Sequence, residues 1–134
     1  MIAGATDDGI CILDFPHRKM IDSIFRRVSE NLGARLAEGN HTHFITLQDQ
    51  LKEYFTGQRT TFDLPLKFAG SPFQVEVWKA LQHIPYAETR SYKAQSIILG
   101  NEKAIRAVAR ANGENCLAIL VPCHRVIGEN GSLT

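Results

Sequence analysis

A polypeptide of 134 residues, with 44% hydrophobic and 22% charged residues, is large enough for one folded domain, or one domain with a small appendage. Its formal net charge of +1 does not indicate a nucleic-acid partner, so any basic surface has to arise from local clustering of cations. The sequence has no apolar run long enough to span a bilayer and no signal segment, which predicts a cytoplasmic protein without membrane association.

The beginning of the chain predicts one strand and one helix. Residues 9–15 form an apolar run that is typical of a buried strand. From Met20 to residue 32, apolar side chains recur at helical spacing, and Gly33 is a suitable C-terminal stop.

A second helix is predicted over residues 47–55, with Thr46 as its cap. Its inward-facing side chains are expected to be Leu47, Leu51, Tyr54 and Phe55. Residues 60–68 alternate loosely between apolar and polar side chains, which fits either a strand or an extended connection.

The character of the sequence changes near Gly70, where we place a domain boundary between residues 1–69 and residues 70–134. Ser71, Pro72 and Gln74 are the cap, first and third positions expected at a helix start. The apolar stripe of this helix is predicted to be Phe73, Val77, Trp78 and Leu81. The fold class is therefore α/β, with a sheet-plus-helix half followed by a mostly helical half.

Two short helices joined by a tight turn then outline a helix-turn-helix. The first covers residues 92–99 and ends at Gly100, and the second begins at the cap Asn101 and stops at Gly113. Its core face is predicted to be Ala104, Ile105, Val108 and Ala111, and its outer face Lys103, Arg106, Ala107 and Arg110. Such an outer face can approach a phosphate backbone; a solvated charged face looks similar, and the motif favours DNA.

The three cysteines argue against a disulfide framework, because their number is odd and no secretion signal is present. Cys11 and Cys116 are interpreted as structural. Cys123 follows the apolar run 117–121, which predicts a strand buried on both faces. A neighbouring His124 can take the thiol proton, and the positive charge of Arg125 favours the thiolate, which is the nucleophilic form.

Adjacent side chains of a regular strand point to opposite faces, so Cys123 and His124 can cooperate only if the backbone turns at Pro122 and Cys123. A buried cysteine beside a hydrogen-bonded histidine is the alternative interpretation of the pair alone.

The segment from Val121 to Gly128, followed by Gly131-Ser132-Leu133-Thr134, closely resembles the active-site signature of the O6-alkylguanine-DNA alkyltransferases, also called methylated-DNA–protein-cysteine methyltransferases. The resemblance extends upstream through Phe73-Gln74, Val77-Trp78, Ile84-Pro85, Ser91-Tyr92, Arg106-Ala107-Val108 and Asn115. The first segment looks most like the repair half of Ada-type proteins, in which a transcription regulator is fused to this domain.

The resemblance implies a ribonuclease H-like first half and a DNA repair activity. An alkyl group would move irreversibly, in a single turnover, from O6 of a guanine in duplex DNA to Cys123 after base flipping. The implied protein is a monomer that needs no cofactor and no metal; His41 and His43 do not have a recognised zinc spacing. The alternatives are a relative that binds alkylated DNA without efficient transfer and, less favoured, a Cys-His hydrolase.

The resemblance also implies roles for individual residues. Cys123 would accept the alkyl group, His124 would act as base through a water, and Asn115 would brace the turn around the cysteine. Arg106 would fill the space left by the flipped base, and Tyr92 would press on the adjacent phosphate. The remaining implied DNA contacts are Ser91, Lys103, Ala107 and Arg110, and the implied substrate pocket is Pro122, Arg125 and Val126, with the carbonyls of Cys123 and Val126 reading the guanine edge.

Two departures from the family pattern lead to further expectations. Family members continue after the Leu-Thr pair with a lid segment and a Glu that orients the histidine, whereas this sequence stops at Thr134. The expectation is either that a tail with the lid is disordered or removed, or that the protein is truncated and lacks it. Gln95 and Ser96 replace the usual Leu and Ala, so Ile97 and Ile98 are expected to supply the packing of their helix.

Overall fold

The computed structural model describes residues 1–16 and 21–128, which divide between two units, Met1–Ala69 and Gly70–Thr134. The first unit contains a two-stranded sheet and two helices, and the second is mostly helical. The predicted α/β class is therefore confirmed. None of the helices in these residues is long and apolar enough to cross a membrane.

The sheet of the first unit is an antiparallel hairpin of β1 (Ile2–Thr6) and β2 (Gly9–Asp14), with a bulge between Gly4 and Ala5. Every residue of β2 is buried, which confirms the predicted strand. The sequence pattern does not predict β1, because small residues such as Ala and Gly have a low preference for strands.

The edge of β2 that faces away from β1 pairs with the extended connection that contains Pro65 and Lys67. The N–H of Ile10 donates to the carbonyl of Pro65 at 2.9 Å, and the N–H of Lys67 donates to the carbonyl of Ile10 at 2.8 Å. A Cβ atom at Gly9 would lie 2.6 Å from Pro65, so this approach requires a glycine. The sequence predicts either a strand or an extended connection for residues 60–68. They form the extended connection, with a single bridge to the sheet.

Helix α1 (Ile21–Leu32) buries Ile24 and Val28. It is followed by Gly33 at a φ of 61°, the left-handed conformation that glycine adopts freely at a helix end. The predicted stop is thereby confirmed, whereas Met20 lies outside the described residues.

Helix α2 (Thr42–Phe55) begins earlier than predicted, and its cap is His41 instead of Thr46. Nδ1 of His41 accepts a hydrogen bond from the N–H of His43 at 3.2 Å. The prediction is wrong because threonine is a common cap, while an imidazole is rarely used as one. Leu47 is buried as predicted, but Phe55 is 63% exposed, because it closes the helix.

Helix α3 (Pro72–Leu81) opens the second unit with the predicted capping box. Oγ of Ser71 accepts from the N–H of Gln74 at 3.2 Å, and Oε1 of Gln74 accepts from the N–H of Ser71 at 2.8 Å. Of the predicted stripe, Val77, Trp78 and Leu81 are buried, and Phe73 is 39% exposed.

The helix-turn-helix consists of α4 (Tyr92–Ile98) and α5 (Ile105–Gly113), with a 3-10 turn (Glu102–Ala104) before α5. Asn101 precedes the 3-10 turn, but its side chain makes no capping hydrogen bond. The predicted start of the second helix at Asn101 is therefore wrong: a 3-10 turn occupies its first residues. Val108 and Ala111 are buried as predicted.

The packing of α4 also differs from the prediction. Ile97 and Ile98 are 53% and 58% exposed, whereas Gln95 and Ser96 are completely buried. Helical spacing requires this outcome, because Tyr92, Gln95 and Ser96 lie on one face of the helix. The apolar side chains that follow cannot reach the same face.

Hydrogen bonds compensate for the burial of both polar side chains. Nε2 of Gln95 donates to Oδ1 of Asn112 at 3.4 Å, and Nδ2 of Asn112 donates to Oε1 of Gln95 at 3.1 Å. Oγ of Ser96 donates to the carbonyl of Tyr92 at 2.9 Å. The amide pair therefore joins α4 to the end of α5, while the hydroxyl of the serine bonds within α4.

The predicted strand over residues 117–121 is wrong, because residues 118–120 form a turn and Leu117 alone makes a β-bridge. The run predicts burial correctly, since Leu117, Leu120 and Val121 are buried. A short apolar run does not distinguish a strand from other buried conformations. The strands of this unit are instead β3 (Arg90–Ser91) and β4 (Val126–Ile127), which pair in parallel.

We expect Gln95→Leu to destabilise the second unit by about 1–3 kcal/mol, because it leaves the buried amide of Asn112 without its partner. Urea unfolding followed by the fluorescence of the sole tryptophan, Trp78, measures the change. The double variant Gln95→Leu/Asn112→Leu removes both amides and should recover part of the loss. A single variant as stable as the wild type would show that the amide pair contributes nothing.

Candidate active site

The loop before Cys123 is held by the buried side chain of Asn115. Nδ2 of Asn115 donates to the carbonyl of Val121 at 2.9 Å and to that of Leu117 at 3.3 Å, and Oδ1 accepts from the N–H of Leu117 at 2.9 Å. This bracing needs both a donor and an acceptor, which a side-chain amide supplies together. The side chain of Asn115 therefore ties together the two ends of the loop that leads to Cys123.

The same loop contains a strained residue that the sequence gives no sign of. Ile119 has a φ of 71°, and the N–H of Leu120 donates to the carbonyl of Ala118 at 2.8 Å across it. A left-handed conformation is unfavourable for a β-branched residue and costs about 1–3 kcal/mol. Such strain persists only where the surrounding contacts determine the backbone, as the Asn115 hydrogen bonds do here.

Cys123 begins a 3-10 turn that extends to Arg125. The N–H of Cys123 donates to the carbonyl of Val121 at 2.8 Å, and the N–H of Arg125 donates to the carbonyl of Pro122 at 3.0 Å. The backbone thus turns at the point where cooperation between Cys123 and His124 requires it. Neither side chain is forced to the opposite face of a strand.

Of the three cysteines, Cys123 is the one that solvent reaches. Its side chain is partly exposed, whereas Cys11 and Cys116 are each only 2% exposed. A nucleophile has to be reached by its substrate, so accessibility favours Cys123 over the other two thiols.

The pKa of His124 is lowered from its ordinary value of 6.5, first by partial burial of the ring and second by the positive charge of Arg125. Both effects disfavour the imidazolium. The ring is therefore neutral at neutral pH and is able to accept a proton.

Arg125 reaches away from its own turn. Its Nη1 donates to the carbonyl of Ile84 at 2.7 Å, and its guanidinium carbon lies 5.7 Å from the centre of the Tyr86 ring. Neither partner could be predicted from the sequence, because a main-chain carbonyl has no sequence signature and Tyr86 is distant from Arg125 along the chain. The other residues of the predicted pocket, Pro122 and Val126, are buried.

The predicted DNA-contacting face of the helix-turn-helix is exposed, at Lys103 in the 3-10 turn and at Arg106, Ala107 and Arg110 on α5. Nε of Arg110 lies 3.7 Å from Oε1 of Glu114, one helical turn away. No such ion pair is found for Arg106 among the described residues.

Two residues implied to contact DNA, Ser91 and Tyr92, lie at the start of α4. Oγ of Ser91 accepts from the N–H of Ala94 at 3.0 Å and caps the helix. Tyr92 is 8% exposed, so little of its surface is open to a ligand.

His41 and His43 have local roles in the first unit. Nε2 of His41 lies 3.1 Å from Oδ1 of Asp7, and Nε2 of His43 lies 3.2 Å from the carbonyl of the same residue. Within residues 1–16 and 21–128, no group of three or more His, Cys, Asp or Glu side chains is arranged to hold a metal ion.

Comparison with known families assigns both halves of the chain. Residues 2–68 match the 6-O-methylguanine DNA methyltransferase ribonuclease-like domain, and residues 72–134 match the DNA binding domain of the same methyltransferases. The chain belongs to the 6-O-methylguanine DNA methyltransferase family. The resemblance drawn from the Cys123 signature is thus confirmed, and so is the ribonuclease-like first half.

Curated members of this methyltransferase family are similar over much of the chain. The constitutive methylated-DNA–protein-cysteine methyltransferase of Bacillus subtilis is 56% identical over 87 residues, which cover 65% of this chain and 53% of that protein. The methylated-DNA–protein-cysteine methyltransferase of Methanosarcina barkeri is 50% identical over 95 residues, 71% of this chain and 60% of that protein. The chain therefore spans little more than half the length of these relatives.

Solved structures of the methyltransferase family share the fold. The Mycobacterium tuberculosis O6-methylguanine methyltransferase is 42% identical, with a TM-score of 0.76 over 93% of this chain and 70% of that one. A structure of Mycobacterium tuberculosis OGT in complex with DNA is 50% identical, with a TM-score of 0.66 over 73% of this chain and 64% of that one.

We expect the ring of His124 to titrate with a midpoint below 6.5, measured from its NMR shifts. The folded state then binds this proton less readily than the unfolded state. The contribution of His124 to the free energy of unfolding is therefore fully present above pH 6.5, and it decreases as the pH falls towards the lowered pKa. Arg125→Gln should raise the midpoint, because it removes one of the two causes, whereas Arg110→Gln is the control and should leave it unchanged. A midpoint at or above the ordinary value would contradict the neutral base.

Proposed function

We propose that the protein repairs alkylated DNA by moving the alkyl group from O6 of a guanine to Sγ of Cys123. The observation that supports this most strongly is the placement of Cys123. It is the partly exposed cysteine, at the start of a turn braced by Asn115, in the unit that matches the DNA binding domain of the methyltransferase family. The relatives' names, methylated-DNA–protein-cysteine methyltransferases, describe the same transfer to a cysteine.

The reaction needs only groups that the chain and its substrate supply. His124 takes the thiol proton, directly or through a water, and the thiolate attacks the alkyl carbon. A carbon–sulfur bond forms as the bond between that carbon and O6 breaks, and the electron pair of the broken bond goes to the guanine. The product is a thioether on Cys123, which has no route back to a thiol, so each molecule reacts once.

The guanine has to leave the helix before it can react, because O6 is inaccessible in a stacked base pair. The base is rotated by about 180° into the protein, at a cost of a few kcal/mol. We propose that Arg106 enters the minor groove and fills the vacated space, since a planar guanidinium stacks and donates several hydrogen bonds. The small Ala107 permits close approach, and Lys103 and Arg110 contact phosphates.

The remaining proposed contacts surround the extruded nucleotide. Tyr92, at the start of α4, presses on the adjacent phosphate with the small part of its surface that is exposed, and Ser91 contacts the DNA beside it. The carbonyls of Cys123 and Val126 read the guanine edge, with Pro122 beside them. The carbonyl of Cys123 also accepts the N–H of Val126, so it uses its second lone pair for the base.

We expect Cys123→Ala to abolish transfer and to leave duplex binding nearly unchanged, because affinity comes from phosphate contacts on α5. Intact mass before and after incubation with methylated duplex DNA detects the added methyl group, and peptide mapping locates it. Cys116→Ala is the matched control, a thiol that is buried, and should transfer normally.

Two results would contradict the proposal. A methyl group acquired by Cys123→Ala, or found on Cys116, would mean that the nucleophile is misassigned. A wild-type protein that binds the modified duplex but gains no mass would instead be the binding-only relative.

We expect Arg106→Ala to slow transfer from duplex DNA far more than it weakens binding, and to react almost normally with the free modified base, which needs no flipping. Arg110→Ala is the matched control, since this cation lies one helical turn away. It should weaken duplex binding and have little effect on the transfer rate at saturating DNA. The measurement for both variants is the single-turnover rate of transfer to Cys123, with saturating duplex DNA and with the free modified base.

Arg106→Lys should also fail on duplex DNA, because a flexible ammonium does not stack as a guanidinium does. Equal losses of Arg106→Ala on both substrates would show that the residue supports the pocket instead of flipping the base.

A further inference from the structure

The side chain of Arg125 joins the turn that carries Cys123 to a separate segment of the same unit. That segment is the end of α3 and the turn that follows it. Nη1 of Arg125 donates to the carbonyl of Ile84 at 2.7 Å, and the guanidinium lies over Tyr86 with its carbon 5.7 Å from the ring centre. Both separations are within the range of a charge-assisted hydrogen bond and a cation–π contact.

The carbonyl of Ile84 is a site where a cation is favoured. After α3, the chain continues through three overlapping 3-10 hydrogen bonds, of which the last joins the N–H of Ile84 to the carbonyl of Leu81 at 3.1 Å. The carbonyls at a helix end lack intrahelical donors and carry partial negative charge. Ile84 is also 2% exposed, so its carbonyl needs a partner from the protein.

The turn after Ile84 is itself strained. The N–H of Glu88 donates to the carbonyl of Pro85 at 3.1 Å, and Ala87 within this turn has a φ of 65°. A left-handed alanine is unfavourable, so the turn depends on contacts that hold it. The guanidinium over Tyr86 is one such contact.

On its other side, Arg125 is the last residue of the 3-10 turn that begins at Cys123. The next two residues form β4, which pairs with β3 in parallel. The segment after the nucleophile is thus attached at two places, by the guanidinium to the end of α3 and by β4 to β3. Because Cys123 is only two residues from Arg125, the side-chain attachment fixes the turn in which the thiol lies.

We propose that Arg125 is a positioning residue for the transfer reaction: through Ile84 and Tyr86 it holds the turn of Cys123 and His124 against the end of α3. This inference rests on the proposed function, and it replaces the pocket-lining role that the sequence predicts for Arg125. The guanidinium acts on the turn and not on the guanine. Loss of Arg125 therefore lowers the rate at which bound base reacts and leaves the affinity for the base unchanged.

Single-turnover transfer from the free modified base, at a series of concentrations, separates the two roles. We expect Arg125→Met to lower the maximal rate by about tenfold or more, because small displacements of a reacting group are costly. The half-saturating concentration should stay within about twofold, since binding contacts are untouched. Arg125→Lys keeps the charge and a donor, but not the planar group over Tyr86, and should lie between Arg125→Met and the wild type.

Two further variants serve as comparisons. Tyr86→Leu removes the ring and keeps the hydrogen bond to Ile84, so it should lower the rate less than Arg125→Met does. Arg26→Met removes an exposed arginine from α1, which has no proposed role in binding or transfer, and should leave transfer from the free base unchanged. Equal rates in Arg125→Met and Arg26→Met would overturn the proposal.

The rate of Cys123 modification by iodoacetamide is a second readout, which does not depend on alkyl transfer. Arg125→Met should change this rate several-fold while Cys11 and Cys116 stay protected, as expected for a folded unit in which one turn has moved. An unchanged thiol rate with a raised half-saturating concentration would show that Arg125 lines the pocket. If the wild type transfers no alkyl group but Arg125→Met still alters the thiol rate, the proposed function fails and the positioning role stands.

Discussion

The carbonyl of Val121 is the point on which the candidate active site depends. It accepts one hydrogen bond from Nδ2 of Asn115 at 2.9 Å and another from the N–H of Cys123 at 2.8 Å. Among the described residues, no regular strand holds this segment, and both lone pairs of one oxygen connect the buried amide to the backbone of the nucleophile. The strained Ile119 lies inside the loop that Asn115 closes, so the hydrogen bonds of Asn115 hold the backbone in a conformation that Ile119 alone would not favour.

Features determined by neighbouring residues could be predicted from the sequence. The capping box at Ser71 and the stop at Gly33 follow from contacts within a few residues, and the burial of β2 is indicated by its own apolar run. The conformation of residues 117–121 could not be predicted in this way. An apolar run requires burial and leaves the backbone undetermined; here the side chain of Asn115, which precedes the run, decides it.

The site residues were predicted from a family signature, and their partners were not. Gln95 departs from the family pattern and still packs inside, because Asn112 on α5 supplies its hydrogen bonds. Arg125 finds its acceptor at Ile84, which is 41 residues away and contributes only its carbonyl. Long-range partners of this kind depend on how helices come together, and no local pattern encodes them.

The ion pair between Arg110 and Glu114 bears on how salt would act on the proposed binding to DNA. A cation that neutralises a phosphate of duplex DNA releases condensed counterions, with a slope of about −0.9 in log affinity against log salt. In the proposed complex with DNA, Arg110 would have to leave Glu114 to make such a contact, so breaking this ion pair would offset part of the gain. The electrostatic driving force from α5 would then be smaller than its number of cations suggests.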